Sequence, residues 1–270
     1  MLTERDGSFE YAKGRKLEHR LSRIEKRDRM LEKDRTADSA VLEEVFDRAT
    51  LMLIYHLLNK GVIDRILGVL KSGKESRIYR GLDPEGDDVA IKIYLTTSKE
   101  FRRGMRPYIE GDPRFKVIGR DTRSLVYAWA QKEFKNLQTA YSSGIRVPKP
   151  LYVEKNVLVM EFIGEDSSAA PTLREKPPSK PQKMYDALLK DVKALYQEAR
   201  LVHGDLSEYN IMDLKGEPVI FDVSQAVSIE HPRARELLLR DLRNLNRFFK
   251  KLGAKTREVE DVFKWVVEDG

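Results

Sequence analysis

At 270 residues, 41% apolar and 35% charged, the chain can build one large domain or two small lobes and is too apolar for a disordered polymer. It has no cysteine, which removes disulfides, thiolate zinc sites and cysteine nucleophiles together and suits a reducing cytoplasm; four scattered histidines, no bilayer-length apolar run and a polar Met1–Arg5 start argue against a zinc site, a membrane partner and a signal peptide. Net charge is +6, from 50 basic against 44 acidic residues, which fits a well-solvated surface or, more sharply, a nucleic-acid partner.

Residues 1–40 form a charged N-terminal arm, with only a thin apolar stripe (Leu17, Leu21, Ile24, Met30, Leu31) between Lys13 and Arg35. From Val41 to Leu58 apolar residues recur every three or four positions, which predicts a packed helix pair closed by Gly61. Arg65–Leu70, Arg77–Gly81 and Val89–Leu95 read as strands, the last two joined by the turn L-D-P-E-G-D-D. Thr96–Arg120 has many charges and no period, so a long flexible loop is expected. Arg123–Tyr141 is a helix with Gly144 at its C-cap, and Val157–Ile163 is a buried strand. A connector over Ser167–Pro181 leads to a helix over Met184–Ala199, a strand over Val219–Phe221 and a closing helix over Ala234–Leu252. The sum is an α+β chain, strands first and helices second, hinged near Glu161–Gly164. The N-lobe lies within 41–163 and the C-lobe within 164–270.

Four pieces carry chemistry. Ser72-Gly73-Lys74-Glu75-Ser76 is a polar turn between strands: Gly73 lets backbone N–H groups approach phosphate oxygens, and Ser72, Lys74 and Ser76 add donors and charge. It lacks the spacing of a Walker A loop, and a plain hairpin connection is its bland reading. Lys92 stands among apolar residues on a strand, where a buried cation needs a counter-charge; Glu133 on the next helix is the natural partner, with a snorkelling edge lysine as the alternative. In H203-G-D205-L-S-E-Y-N210, Asp205 can accept a proton from an attacking hydroxyl or orient a water, and Asn210 offers a neutral oxygen to a hard cation such as Mg²⁺. A hydrolase triad of Ser207, His203 and Asp205 within one short loop would need unusual geometry. Asp222 ends an apolar strand and suits a metal ligand beside phosphates, though such an acid is ordinarily a turn former.

In this order the pieces resemble the protein-kinase signature set. Asp222 is followed by V-S-Q rather than F-G, no A-P-E follows, and too little chain remains for a peptide-docking platform. The motifs S-G-K-E-S-x-I-Y, H-G-D-L-S-E-Y-N, I-F-D-V-S-Q-A-V and H-P-R-A-R-E-L-L-L-R-D are similar to those of the RIO family of atypical serine/threonine kinases, over roughly Ala40–Leu252. The last motifs point to the type-one subfamily, while Ser76 departs from the alanine usual there.

The resemblance implies a minimal bilobal kinase-like fold, with an antiparallel N-lobe sheet plus helix and a reduced helical C-lobe. It implies ATP with Mg²⁺ (Mn²⁺ as a substitute), autophosphorylation, and a pre-ribosomal small-subunit particle and its rRNA as partner, with a monomer as the default state. On this chain it assigns Lys92 to the phosphates, Glu133 as its partner, Asp205 as the catalytic aspartate and Asn210 and Asp222 as metal ligands. The backbone of Glu161 and Ile163 would meet adenine, with Met160 guarding the pocket behind. Asp222 is the expected phosphoryl acceptor if ATP hydrolysis works as a switch. A protein kinase, an ATPase switch and a non-catalytic pre-ribosomal RNA scaffold that keeps ATP for rigidity stand as the readings. A small-molecule kinase is the distant fourth.

Overall fold

The computed structural model describes residues 46–96, 104–109, 111, 112, 114 and 121–268. They fall into two units, the second spanning Met52–Gly270. The charged arm and residues 41–45 of the expected helix pair lie outside the described residues. Of that pair the structure describes one helix, α1 (Arg48–Lys60), stopped by Gly61 at φ +72°.

A five-stranded antiparallel sheet follows, with spatial order β1-β2-β3-β5-β4. Its strands are β1 (Arg65–Ser72), β2 (Ser76–Leu82), β3 (Asp88–Tyr94), β4 (Pro150–Glu154) and β5 (Val157–Glu161). β3 lies between β2 and β5 and is buried from Val89 to Tyr94, which explains its nearly unbroken apolar run. β4 has no clear strand signal in the sequence, because Pro150 and the charged Glu154 bracket only three strand-like residues.

Helix α2 (Thr122–Ser142) packs beside this sheet and starts at Asp121, whose carboxylate accepts the Ser124 N–H at 3.0 Å. Its buried positions include Leu125, Val126, Trp129, Ala130 and Leu137, but also Lys132, Glu133 and Asn136. The expected long loop 96–120 holds a packed 3₁₀ turn, Arg106–Tyr108, in its described part. The reason is local: Met105 and Ile109, four residues apart, bury themselves against Tyr94, Leu125 and Trp129. Residues 97–103, 110, 113 and 115–120 of that loop lie outside the described residues.

Beyond β5, Gly164–Glu165 (β6) and Ser168–Ala169 (β7) form a tight hairpin, with Asp166 and Ser167 both at positive φ. Helix α3 (Pro181–Gln197) takes its proline in the first turn, where a missing N–H costs nothing. The second half is not purely helical. Leu201–Val202 (β8) pairs with Val227–Ser228 (β11), and Ile211–Leu214 (β9) pairs with Glu217–Ile220 (β10). Such two- and four-residue strands have no room to show a period. Helices α4 (Ala234–Lys251) and α5 (Val259–Val267) close the chain. One core joins Leu137 and Leu158 to Leu188, Ile220, Leu237 and Phe249.

Gly164, just past β5, is the most crowded glycine among the described residues. A Cβ there would meet the Ser168 carbonyl oxygen at 2.2 Å and the Phe162 ring at 2.6 Å. Gly164→Ala should therefore force the hinge hairpin apart and cost about 1–3 kcal/mol by chemical denaturation; an unchanged midpoint would show that the hinge backbone gives way freely.

Candidate active site

Side chains alternate along β3, so Ala90, Lys92 and Tyr94 share one face. That face looks toward α2, and Lys92 donates from Nζ to Glu133 Oε1 at 2.8 Å. Tyr94 donates its hydroxyl to the other oxygen, Glu133 Oε2. The same ammonium reaches Asp222 Oδ1, also at 2.8 Å. The Lys92 and Glu133 side chains are 3% and 1% exposed, whereas that of Asp222 is 36% exposed and opens outward.

Burial alone would push the Lys92 ammonium down, but the charges and hydrogen bonds of Asp222 and Glu133 override it and raise its pKa. Burial would likewise raise Asp222; Lys92, with a hydrogen bond from Ser224 Oγ at 2.9 Å, instead holds it at about 2. Glu133 stays raised, because burial and Asp222 outweigh the pull of Lys92 and Tyr94.

Asp222 sits at φ 56°, ψ 56°, a left-handed conformation that non-glycine residues seldom adopt. It follows β10 by two residues and opens a 3₁₀ turn, Val223–Gln225. Asn210 places it: the Asn210 carbonyl accepts the Phe221 N–H at 3.0 Å. The Asn210 amide nitrogen donates to the Asp205 carbonyl at 2.9 Å, leaving its own Oδ1 for another partner. Asp205 Oδ2 receives Gln225 Nε2 at 3.1 Å. Burial and the charge of Asp222 raise the Asp205 pKa, which makes it a stronger base than an exposed aspartate.

The loop holding Asp205 is braced from behind. Asp241, buried on α4, accepts the Gly204 and Leu206 N–H groups at 2.8 and 2.9 Å, and burial pushes it up to about 7. Arg240 donates to the Gly204 carbonyl and, at 3.3 Å, to the Tyr108 hydroxyl. His203 Nδ1 accepts the Asp205 N–H at 3.3 Å, so Nε2 carries the proton facing the Phe221 carbonyl at 3.4 Å.

Beside this charged cluster lies a cavity of about 310 Å³, lined by Ile78, Ala90, Met160, Glu161, Ile163 and Phe221 among others. That is the lower end of the size that takes a small organic ligand. Glu161 and Ile163 thus border it, but the Glu161 carboxylate turns to Arg146 (2.8 and 2.9 Å) and the Lys149 N–H (3.0 Å). The turn with Ser72, Gly73, Lys74 and Ser76 closes on itself through Gly73 N–H to Ser76 O at 3.0 Å. Among the described residues its side chains make no hydrogen bond to the cluster. It nonetheless overhangs it, since Lys71 Nζ lies 5.6 Å from the Phe221 ring centroid and Glu75 feels Asp222, Lys92 and Asp205. Sequence alone assigns no role to Tyr94, Lys132, Asn136, Gln225 or Asp241; Gln225 and Asp241 had a signal, as members of I-F-D-V-S-Q-A-V and H-P-R-A-R-E-L-L-L-R-D.

No three His, Asp or Glu side chains among the described residues converge as a self-sufficient metal cage. Mg²⁺ does not need one: it keeps waters and takes one or two protein oxygens plus phosphates. Asn210 Oδ1 and Asp222, separated only by β9–β10, are such a donor set, so the residues fit the ion.

The frame is that of a protein kinase cut down to few elements. The solved Rio2 kinase of Chaetomium thermophilum matches it with a TM-score of 0.62 at 24% identity, over 80% of this chain and 67% of that one. The fold is therefore kinase-like. Residues 77–262 match the RIO domain. The Rio1 serine/threonine-protein kinase of Haloferax volcanii is 43% identical over 93% of this chain and 86% of its own length. That of Methanocaldococcus jannaschii is 37% identical, over 90% and 81%. The human RIO1 kinase is 36% identical over 86% of this chain but only 41% of its own. The chain belongs to the RIO family of atypical serine/threonine protein kinases.

His203 gives the site a pH signature. Burial holds its pKa at about 4, against 6.5 in an exposed histidine. As pH falls through 6.5 the unfolded chain takes up a proton that the native state refuses until about 4, so stability is lost across that window. His203→Gln should remove ~3 kcal/mol of this acid loss, read as the wild-type-minus-variant difference in unfolding free energy between pH 7 and 4. A difference that does not change with pH would contradict a buried neutral imidazole.

Proposed function

We propose that this kinase binds ATP with Mg²⁺, labels itself, turns ATP over and acts in maturation of the small ribosomal subunit in the cytoplasm. The observation that carries the chemistry is Lys92, held 2.8 Å from both Glu133 and Asp222 although these lie 41 and 130 residues away. A lysine so fixed beside an open carboxylate has one physical use that stability does not supply, which is to meet polyphosphate.

In this reading adenine enters the cavity bordered by Met160, Glu161 and Ile163, and the Ser72–Ser76 turn covers the phosphates with Lys74. Asn210 and Asp222 hold the divalent ion, which when bound neutralises phosphate charge. Asp205 orients the attacking hydroxyl or water and takes its proton, which its raised pKa favours. A solved complex of the Rio2 kinase from Chaetomium thermophilum contains ADP, Mg²⁺ and phosphoaspartate. Asp222 suits the same acceptor role here: it is ionised, half-open and next to the lysine. An Asp222 oxygen would bond to the γ-phosphorus as the β–γ bridging oxygen leaves with ADP, and water would later cleave the acyl-phosphate. The mild basic excess suits an RNA-containing particle as partner.

Purified protein with γ-labelled ATP and Mg²⁺ should label itself slowly and release more phosphate with pre-ribosomal particles. Asp205→Ala should lower turnover by about 10²–10⁴, and Lys92→Ala should weaken ATP binding; turnover unmoved by Asp205→Ala would remove its catalytic role. Label lost in hydroxylamine marks an acyl-phosphate on aspartate, and stable label marks serine. ATP binding with no turnover at all would leave the scaffold reading.

A further inference from the structure

Lys132 is wholly buried on α2, next to Glu133. Its Nζ donates to the Ser224 carbonyl at 2.8 Å and to that of Ala226, over the Trp129 ring at 5.2 Å from the centroid. One turn on, Asn136 Nδ2 donates to the carbonyls of Val223 at 2.8 Å and Ala226 at 3.0 Å. Arg114 braces the amide by donating to Asn136 Oδ1 at 2.8 Å, and is itself paired with Asp112. The three carbonyls belong to the turn that begins at Asp222.

We propose that Lys132 and Asn136 are positioning residues, a clamp that locks helix α2 to the Val223–Ala226 turn and so holds Asp222 in its left-handed conformation facing Lys92. The inference rests on the phosphoryl-transfer reading above. It follows from a closed ring: Glu133 on α2 holds Lys92, Lys92 holds Asp222, and the turn after Asp222 returns to α2 through the immediate neighbour of Glu133. Adjacent helix positions diverge by about 100°, so Lys132 and Glu133 grip different elements from a single turn of helix.

Two facts say that the ring is there for alignment. A buried ammonium serving backbone carbonyls, with no carboxylate among the described residues within ion-pair distance, is a poor way to stabilise a helix contact, since an apolar side chain would do as well. Burial and the nearby Arg114 charge push its pKa down to about 7, against the pull of Asp112 and Glu133, so the contact is kept despite a desolvation cost. What it does supply is direction: three N–H donors on a long stem and a two-donor amide fix three carbonyls within four residues, those of Val223, Ser224 and Ala226, and hence the backbone on which Asp222 turns.

The clamp sets rate rather than nucleotide affinity. Lys132→Met keeps volume and removes the charge; Asn136→Leu does the same for the amide. Each variant is assayed at saturating ATP and Mg²⁺, per molecule competent in an ATP-binding titration, so that unfolded material does not count. The expected result is turnover lowered between about 10- and 100-fold, as small misplacements of a reacting group cost, with ATP Kd and thermal midpoint close to wild type. Turnover equal to wild type in both variants overturns the clamp while leaving the kinase reading intact. A lower thermal midpoint with unchanged turnover per competent molecule overturns it too, as a merely structural contact. Absence of turnover in the wild type takes down the reading beneath it.

Discussion

The ammonium of Lys92 stands where no isolated charge would stay, 3% exposed and 2.8 Å from each of two carboxylates, and the arrangement of the cleft follows from keeping it there. Removing either partner of such a buried pair leaves an uncompensated charge, a loss of about 3–5 kcal/mol, whereas an apolar replacement of the whole cluster is often neutral. The triad is therefore an expensive way to hold a sheet against a helix. It makes sense as a device that keeps a positive charge aimed into a cleft while leaving one carboxylate, that of Asp222, open to it.

Each element around the cleft has a share in that constraint. β3 supplies Lys92 and Tyr94 from one face, and its central place in the sheet removes water from behind them. Helix α2, capped by Asp121, carries Glu133 and the polar residues that reach the Asp222 turn. The small β9–β10 hairpin spans the twelve-residue interval between Asn210 and Asp222, and its register pairs Ile211 with Ile220 so that Asn210 bonds the residue before Asp222. Asp241 and Arg240 on α4 hold the backbone of the Asp205 loop from below. The hydrophobic core is common to both halves of Met52–Gly270, with Leu158 and Met160 of β5 packed in the same cluster as Leu237 of α4.

Much of this could be read from the sequence because it rests on residue types that are costly in the wrong place. A lysine in V-A-I-K-I needs a partner, and H-G-D followed by Asn five residues on is a demanding pattern, so Lys92, Glu133, Asp205 and Asn210 were legible. Long periodic segments were legible too: α2, α3 and α4 fall within three residues of their expected limits. The rest was hidden for physical reasons. Lys132 and Asn136 look like surface residues of a charged helix, because their partners are backbone carbonyls, which carry no sequence signature. Gln225 meets Asp205 only through the turn that follows Asp222. The 3₁₀ turn at Arg106–Tyr108 depends on Met105 and Ile109, two apolar residues in a segment crowded with charges and without an apolar period. Glu161 was expected at the hinge and is there, but its side chain serves Arg146 rather than the cavity, which only the register of β5 could reveal.

The measurement that bears most directly on the account is a crystal structure with a non-hydrolysable ATP analogue and Mn²⁺, located by anomalous scattering. The account predicts a manganese peak in contact with Asn210 Oδ1 and Asp222, adenine in the cavity beside Met160, and Lys92 between Glu133 and the phosphates. A nucleotide bound elsewhere, or a metal that touches neither Asn210 nor Asp222, would contradict it.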